Sequence, residues 1–400
     1  MDGADLGKRI IAGLLFSILA GLVLVAVSRA NLLPAAPDKF TYDWRTYLLA
    51  EQAPHSRSDI AVIRINERSL TGYNYVSPID RGLIAEIVKR ADEAGAKAIG
   101  LDIIIDRPTE PQKDAALAEA IRKAHAPVIL GAVDRRGGET REGMAFQEDF
   151  IAKTGRSAGH IYFAAERDGL TLGDQAVRFM LPASEEPPHR PSLARLLADA
   201  DGKKPEPASP LIFWRRPPAS GGADLFTAFT VPAHRDADGT PKGSVLPESW
   251  RGALSGKIVL IGGAFKDRDL HLTPLTVASR EPIHGVGIHA QILAQLRDGR
   301  SIHEMTWWVE FLIAAAVAGL GIYAARQWTL SGSGLISTTI AFLAIVSAGG
   351  LLFWATHVIL PSATLFLAWA LGLFAGNWAG APGGKAGQLS DNEAKLASGG

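Results

Sequence analysis

Acidic side chains and one histidine lie at or just after the ends of several apolar runs of strand length. These residues are Glu67, Asp102, Asp106, Asp269 and His271. In parallel α/β sheets the carboxyl ends of the strands meet at one edge, and ligands tend to bind outside that edge. We therefore expect these side chains to converge on a polar ligand or a divalent cation. The alternative is structural, because such residues also cap helices and fix loops.

Two further features mark this set of residues. Asp102 lies inside an apolar run, and a buried carboxylate needs a polar partner. His284 and His289 stand at the start of a predicted helix. By residue type alone, these two histidines together with Asp269 and His271 would resemble a set of zinc ligands. Their spacing matches no standard zinc signature, so we predict neither a metal nor a cofactor. A hydrolase that acts through Asp102, Asp269 and His271 is the minor alternative to a protein without enzyme activity.

The composition of the 400-residue chain excludes several classes of function. Its 41 Lys and Arg residues balance 41 Asp and Glu residues, so no overall positive charge favours nucleic acid. The absence of cysteine excludes disulfide scaffolds, thiol catalysis and Cys-ligated metal sites. Apolar residues concentrate in 10–28 and 306–380, whereas the stretch between them has the mixed composition of a globular domain.

The stretch between the apolar blocks alternates strand-like and helical patterns. The strand-like runs are 60–65, 98–105, 128–133 and 258–262. The helical patterns are 81–94, 114–124, 192–200 and 287–297. Continuous apolar strands that alternate with helices predict an α/β domain with a mostly parallel sheet covered on both faces. Polar and proline-rich segments predict loops at 134–158, 183–191 and 201–224.

Four apolar segments are each long enough to cross a bilayer as a helix. They predict one N-terminal and three C-terminal transmembrane helices, at 10–28, 306–325, 335–355 and 358–379. A cleaved signal peptide is the alternative for the first segment, because Ser28, Arg29 and Ala30 loosely fit a cleavage site. In either case the domain that follows is translocated across the membrane.

Basic residues near the ends of these segments predict the orientation of the chain. They are Lys8, Arg9, Arg326 and Lys385, and all fall on one side of a four-helix topology. The positive-inside rule then places residues 1–9 and 380–400 in the cytoplasm and residues 29–305 outside it. We expect a multi-pass protein of a bacterial inner membrane, with its large domain on the periplasmic side.

Small residues recur at every fourth position along two of the predicted spans. The rows are Gly13, Ser17 and Gly21 in the first span and Ala368, Gly372 and Gly376 in the last. Such rows let helix backbones approach closely, and packing within one chain is slightly favoured over dimerisation. We also expect the spans to hold no acidic or basic side chain, which argues against ion transport.

Several strings in the domain, taken together, resemble the type-2 CHASE family of extracytoplasmic sensors attached to bacterial cyclases and histidine kinases. The strings are IAVIRINERSL at 60–70 with Pro78 and Arg81, AGAKAIGLD at 94–102, Asp168-Gly169 with Arg178, GKIVLIGGAFKDRDLHLTP at 256–274, and GVGIHA at 285–290. The layout of one helix before the domain and three after it also resembles that family. Two residues depart from the family pattern. Asn66 stands where Asp is common, and Ser77 stands where an aromatic residue is common. We count Arg81 and His289 among the ligand-binding candidates.

The resemblance implies reception of a signal outside the cytoplasm. Family members typically continue after the last span into a cyclase, kinase or other signalling domain, whereas this chain ends soon after it. We therefore expect a membrane-anchored sensor or binding module that acts through a separate partner. The alternative is an assembly subunit of a membrane complex without ligand switching. The expected partners are membrane lipid and a signalling or envelope protein, with a homodimer as a further option and no nucleic acid.

Overall fold

The computed structural model describes most of the chain, in nine stretches. They are 3–33, 36–163, 165–166, 176–185, 187–203, 206–219, 224–233, 247–327 and 333–380. Predictions that rest on Asp168, Gly169, Lys385 and the 381–400 tail fall outside these stretches. The chain divides into two compact units. The central unit is Asp43–Ile302, and the terminal unit combines Met1–Tyr42 with His303–Gly400.

Six parallel strands form the sheet of the central unit. They are β1 (Arg57–Ile65), β2 (Ala98–Asp102), β3 (Val128–Ala132), β4 (Ala158–His160), β5 (Phe226–Thr230) and β6 (Ile258–Gly263). They lie in the order β4-β3-β2-β6-β1-β5, and every pairing is parallel. The predicted α/β class with a mostly parallel sheet is confirmed. Because β6 lies between β1 and β2, the end of the sheet's last strand stands beside the ends of its first two.

Helices, numbered along the whole chain, cover both faces of this sheet. They are α3 (Arg81–Glu93), α4 (Pro111–Lys123), α5 (Arg141–Thr154), α6 (Leu193–Ala200), α7 (Arg251–Leu254) and α8 (Gly285–Asp298). A further helix, α2 (Ala36–Leu49), precedes β1 in the chain. On one face, Ile63 shares a core with Ile87 of α3 and Leu117 of α4. On the other face, Ile60 shares a second core with residues of α6 and α8, including Leu293. Alternate residues of β1 thus enter different cores, which accounts for the unbroken apolar run at 60–63.

Shorter elements complete the central unit. There are 3-10 turns at Arg135–Gly137, Glu248–Trp250 and Pro274–Thr276, and two-residue antiparallel pairs join Ala165–Glu166 to Ala176–Val177 and Leu270–His271 to Ile283–His284. The second of these pairs carries one predicted site residue, His271, next to the strand ends. It fixes the loop after β6 against the segment that leads into α8.

The predicted loop at 134–158 is wrong, because α5 occupies most of it. Thr140 caps the start of α5 by accepting a hydrogen bond from the Gly143 amide at 3.0 Å. The Gln147 side chain is buried and forms hydrogen bonds to both the amide and the carbonyl of Val133, each at 2.9 Å. A polar side chain here satisfies the end of β3, so the inward face of α5 does not appear as an apolar stripe in the sequence.

A fully buried ion pair connects α2 to the segment after Ala176–Val177. Arg178 Nε donates to Asp43 Oδ1 at 2.8 Å, and its Nη2 donates to Oδ2 at 2.6 Å. Both side chains are 0% exposed. Two parallel hydrogen bonds of this kind are geometrically specific, because the planar guanidinium matches the carboxylate. The contact fixes Asp43, the first residue of the central unit, which lies in a helix that the sequence patterns did not predict.

The terminal unit is helical. Its helices are α1 (Gly3–Arg29), α9 (Trp307–Gln327), α10 (Ser333–Thr356) and α11 (Ser362–Gly380). Three of them contain segments long and apolar enough to cross a membrane, namely Ile10–Arg29, Trp307–Gln327 and Leu335–Thr356. These agree with three of the four predicted spans.

The fourth predicted span, at 358–379, is shorter in the structure than expected. Val358–Ile359 is extended and pairs in parallel with His303–Glu304, so the helix begins only after Pro361. The apolar helical part, Ser362–Trp378, is shorter than the other three. At 1.5 Å per residue it covers about 26 Å, less than the ~30 Å hydrocarbon thickness of a typical bilayer.

The row of small residues in α1 faces α9. A Cβ atom added at Gly21 would lie 3.1 Å from the Cβ of Ala315, so no larger side chain fits there without movement. The Ser17 hydroxyl donates to the Gly13 carbonyl at 2.9 Å, and Ser17 is buried. A Cβ at Gly13 would lie 3.9 Å from Ile322 of α9, which is an ordinary contact. Close approach therefore centres on Gly21.

The row in α11 packs still more closely against α9. Ala368 is fully buried, and a Cβ added at Gly372 would overlap the Ala318 carbonyl. A Cβ at Gly376 would lie 2.6 Å from the Cβ of Ala325. Small residues in both helices allow this approach, as is common where helices pack in a membrane. Within the described residues, both rows thus contact α9 of the same chain.

The expectation that no span holds an ionisable side chain is wrong at Glu310. This residue lies in the first turn of α9 and is buried. Its Oε2 accepts hydrogen bonds from Arg29 at 3.2 Å (Nε) and 2.9 Å (Nη2), and Thr364 donates to its Oε1 at 3.1 Å. Arg29 Nη2 also contacts the Met305 carbonyl. The charge is tolerated because it is paired and hydrogen-bonded, so it supports helix packing rather than a transport pathway.

Candidate functional site

A cavity of about 570 Å³ opens at the carboxyl edge of the sheet, within the central unit. Loops that follow β2, β3, β4 and β6 form it, together with the segment before α3. Its polar and charged lining residues are Ser77, Asp102, Asp106, Arg107, Glu139, Tyr162, Arg268, Asp269 and His271. Its apolar lining includes Pro78, Ile103, Ile161, Phe163 and Phe265. The edge is the one at which parallel α/β folds bind ligands.

Asp102 is held in the cavity wall by the register of the sheet. It is the last residue of β2 and lies opposite Gly262 of β6. A Cβ added at Gly262 would lie 2.7 Å from the Cβ of Val286 and 3.2 Å from the Cβ of Asp102. Glycine is therefore required here, because α8 and the end of β2 both press against the same backbone position. This close approach sets Asp102 beside the start of α8.

The Asp102 carboxyl group has few polar contacts for a buried group. Its side chain is 5% exposed, and Oδ1 lies 3.6 Å from His289 Nε2. Its Oδ2 is buried and has no hydrogen-bond partner among the described residues. Burial, and then repulsion from the nearby Asp269 carboxylate, raise the pKa of Asp102 well above its usual range. The cavity therefore has a carboxyl group whose hydrogen-bonding capacity is unused.

His289 lies behind Asp102, on the second turn of α8. Its Nε2 donates to the Ile161 carbonyl at 3.0 Å, which assigns the proton to that nitrogen. Burial lowers the pKa of His289 to about 4, so the ring is neutral near pH 7. At 3.6 Å from a neutral ring, Asp102 gains no ion pair. The imidazole fixes the Ile161 backbone rather than balancing the Asp102 charge.

Asp269 is anchored at the start of α8. Its Oδ2 accepts a hydrogen bond from the Gly285 amide at 3.0 Å, and its Oδ1 lies 2.9 Å from His271 Nε2. Asp269 adopts the left-handed conformation with φ 54°, which is uncommon for a residue other than glycine. A Cβ added at Gly285 would overlap this carboxylate, with its Cγ at 2.8 Å. The strained backbone is thus held where the carboxylate meets the positive end of a helix.

Aromatic side chains from the segment after β4 close one side of the cavity. The Phe163 ring lies 4.6 Å from the His289 ring and 5.1 Å from the His271 ring, measured between centroids. The Tyr162 hydroxyl donates to Asp134 Oδ1. Burial and this carboxylate raise the pKa of Tyr162. The two rings therefore stand in fixed positions on the cavity wall.

The structure brings together four of the seven predicted ligand-binding residues. They are Asp102, Asp106, Asp269 and His271, all of which line the cavity, with His289 directly behind them. Glu67 lies elsewhere, and its Oε1 accepts a hydrogen bond from the Lys266 amide at 2.8 Å. Glu67 thus fixes the loop after β1 to the loop after β6. This is a structural role, which was the alternative to ligand binding.

Arg81 also lies outside the cavity lining. It is the first residue of α3, is fully buried, and its nearest described acidic partner is Asp114 at 3.8 Å. None of its guanidinium nitrogens has a hydrogen-bond partner among the described residues. Burial lowers the pKa of Arg81, whereas Asp114 and then Asp106 raise it. Arg81 therefore contributes positive charge beneath the cavity wall rather than a contact inside the cavity.

The zinc-like set suggested by the residue types does not assemble among the described residues. In the described parts of the chain, no three His, Asp or Glu side chains lie close enough together to hold a metal ion. Asp269 and His271 contact each other, but His284 Nε2 lies 3.0 Å from the Phe265 carbonyl instead. The cavity offers unpaired hydrogen-bonding capacity and aromatic surface, which suit the binding of a small polar molecule.

Several lining residues were not predicted from the sequence. Tyr162 and Phe163 follow β4, a strand of three residues that includes Gly159 and has no apolar run to mark it. The HIYF string at 160–163 was the available signal, because it places an aromatic pair after a short strand. Ser77 and Pro78 belong to the segment before α3, whose place beside β2 depends on the tertiary fold.

Comparison with known proteins gives one match. The model of the CHASE2 domain family matches residues 18–323, which is most of the chain. No curated protein and no solved structure matches the chain significantly.

Proposed function

Because the chain belongs to the CHASE2 domain family, a family of sensory extracellular domains, we propose that it is a membrane-anchored sensor. Its central unit binds a small ligand outside the cytoplasm, in the cavity at the carboxyl edge of the sheet. The helices of the terminal unit carry the change to a separate partner protein, in the cytoplasm or in the membrane. The protein receives a signal and catalyses no reaction of its own.

The observation that carries this proposal is the unused carboxyl group of Asp102. A buried polar group without a partner costs about 1–3 kcal/mol, and folded proteins keep few of them. In this cavity the cost is offset when a ligand supplies the missing contact. A ligand that binds one conformation more tightly than another shifts the balance between them, which is the requirement for a sensor.

The anchoring and orientation can be tested by labelling, because the chain contains no cysteine. We expect Glu119→Cys, at an exposed position of α4 in the central unit, to react with a membrane-impermeant maleimide in intact spheroplasts. We expect Lys8→Cys, at an exposed position near the start of α1, to react only after lysis. Labelling of both positions before lysis, or the reverse pattern, contradicts the proposed topology.

The sensor and the assembly subunit differ in how a partner responds. Cross-linking in native membranes followed by mass spectrometry identifies proteins bound to the wild type and to Asp102→Asn. The matched control is Asp149→Asn, which makes the same change of charge at an exposed position of α5. A sensor gives a partner whose recovery or activity changes with Asp102→Asn alone. One fixed complex, equal in all three proteins and in all conditions, shows an assembly subunit instead.

A further inference from the structure

We propose that the cavity recognises a small organic cation, a molecule with a protonated or quaternary amine, whose positive charge contacts Asp102. This inference rests on the proposed function only in taking the cavity as the ligand site. It adds the chemical class of the ligand.

The acidic groups at the base of the cavity lack a cationic partner. Asp102 has only the neutral His289 ring near it, at 3.6 Å. Asp269 is bound by the Gly285 amide and by His271. Among the described residues, neither Asp102 nor Asp269 forms an ion pair with a Lys or Arg side chain. A cation that enters here meets the Asp269 carboxylate and the Asp102 carboxyl group, whose ionised form the cation would stabilise, whereas an anion meets repulsion from Asp269.

The arginines that line the cavity do not outweigh its acidic side chains. Four acidic side chains and two arginines line it. Arg107 Nη2 is paired with Asp106 at 2.5 Å, and its side chain is 62% exposed. Arg268 lies 3.6 Å from Asp267, and its side chain is 52% exposed. Each arginine thus has an acidic neighbour in its own loop, so neither adds an uncompensated positive charge to the cavity.

The aromatic wall and the size of the cavity favour an organic cation over a metal ion. Tyr162, Phe163 and Phe265 line the cavity, and aromatic faces attract ammonium groups. One such contact already exists at Tyr162, where the Arg136 guanidinium lies 5.1 Å from the centroid of the ring. The volume of about 570 Å³ accommodates a small organic molecule. A metal would need ligands that the described residues do not bring together.

The test compares probes that share a shape and differ in charge. Binding to the full-length protein in detergent is measured by isothermal titration calorimetry with benzylammonium, benzyl alcohol and benzoate. Putrescine, choline, Mg²⁺ and Ca²⁺ are measured in the same way. We expect at least one of the three organic cations to bind, with benzoate undetectable and benzyl alcohol about tenfold weaker than benzylammonium or worse. Asp102→Asn should weaken the binding of the cation about tenfold or more, whereas Asp149→Asn should leave it unchanged.

The outcomes separate this inference from the proposed function. Preferential binding of benzoate or benzyl alcohol, binding of divalent metals alone, or no binding of any organic cation at millimolar concentration overturns the inference. Cation binding that survives Asp102→Asn also overturns it. If that variant does not fold, Phe163→Leu replaces it, with the same expected loss for the aromatic cation. None of these results bears on the labelling pattern or on the partner response, which test the proposed function alone.

Discussion

Replacing Asp43 by Asn removes the negative charge that neutralises Arg178 in the interior of the central unit. The two side chains are 0% exposed and joined by hydrogen bonds of 2.8 and 2.6 Å. Asn has nearly the same shape, so packing is retained while the buried guanidinium loses its bidentate contact with a carboxylate. Breaking one partner of such a pair costs about 3–5 kcal/mol. For a domain of this size, that corresponds to a fall of roughly 6–20 °C in the unfolding midpoint.

The assay is thermal unfolding of the full-length protein in detergent, followed by fluorescence of buried tryptophans such as Trp214. Two further variants serve as references for the change in the unfolding midpoint. Asp149→Asn removes one partner of an exposed ion pair with Lys153 and should change the midpoint very little. The double variant Asp43→Leu with Arg178→Met removes both charges and should recover most of the loss. If Asp43→Asn unfolds within 2 °C of Asp149→Asn, the buried pair does not stabilise the central unit as argued.

Three further predictions follow from close contacts and titration. Gly285→Ala should displace the Asp269 carboxylate at the start of α8 and lower the unfolding midpoint. In the control, Gly287→Ala, the added Cβ meets nothing within 4 Å, so this variant should be neutral or slightly stabilising. Equal midpoints for the two variants would contradict the contact. Gly372→Leu should separate α11 from α9 and reduce the yield of monodisperse protein in detergent, and an unchanged elution profile with unchanged resistance to protease would count against that packing. Burial raises the pKa of Asp134, but hydrogen bonds from neighbouring side chains outweigh burial and lower the pKa to about 2. The ionised Asp134 therefore stabilises the folded state fully above about pH 4, and this contribution is lost towards pH 2. Asp134→Asn should lower the midpoint at pH 7 and flatten its fall between pH 4 and 2; a slope equal to that of the wild type would refute the assignment.

The elements that the sequence predicts well are those with one strong periodic signal. β1, β2, β3 and β6 each contain a run of at least four residues without a polar or charged side chain, and α3 carries a complete apolar stripe. Their predicted positions therefore agree with the structure within a few residues. The parallel sheet follows from their alternation. The family was also predicted correctly, because its strings extend along much of the chain.

The remaining elements depend on contacts that no local pattern contains. β4 is three residues long and is defined by pairing with β3, and α5 turns the polar Gln147 inward to satisfy a strand end. The start of α11 depends on Val358–Ile359, whose apolar residues pair as a strand instead of extending the helix. Each is a case in which tertiary contacts override local preference.

The candidate site was predicted in part, for a physical reason. Residues directly after strands, such as Asp102 and Asp269, are placed by the sheet itself, because parallel strands end at one edge. The aromatic wall around Phe163 depends on a segment whose path is set by contacts with histidines of two other segments. Chain position alone therefore identifies the acidic base of the cavity but not its wall.

The contact of the partly exposed Arg29 with the buried Glu310 limits how the helices of the terminal unit can move against one another. Sliding α1 along α9 by one helical turn would shift it about 5.4 Å. That distance exceeds the 2.9 Å hydrogen bond between Arg29 and Glu310, and Thr364 ties the same carboxylate to α11. A piston stroke of α1 would leave an unpaired charge among apolar side chains, which is costly. Small changes of tilt, in which α1, α9 and α11 turn as one body, keep the contact intact.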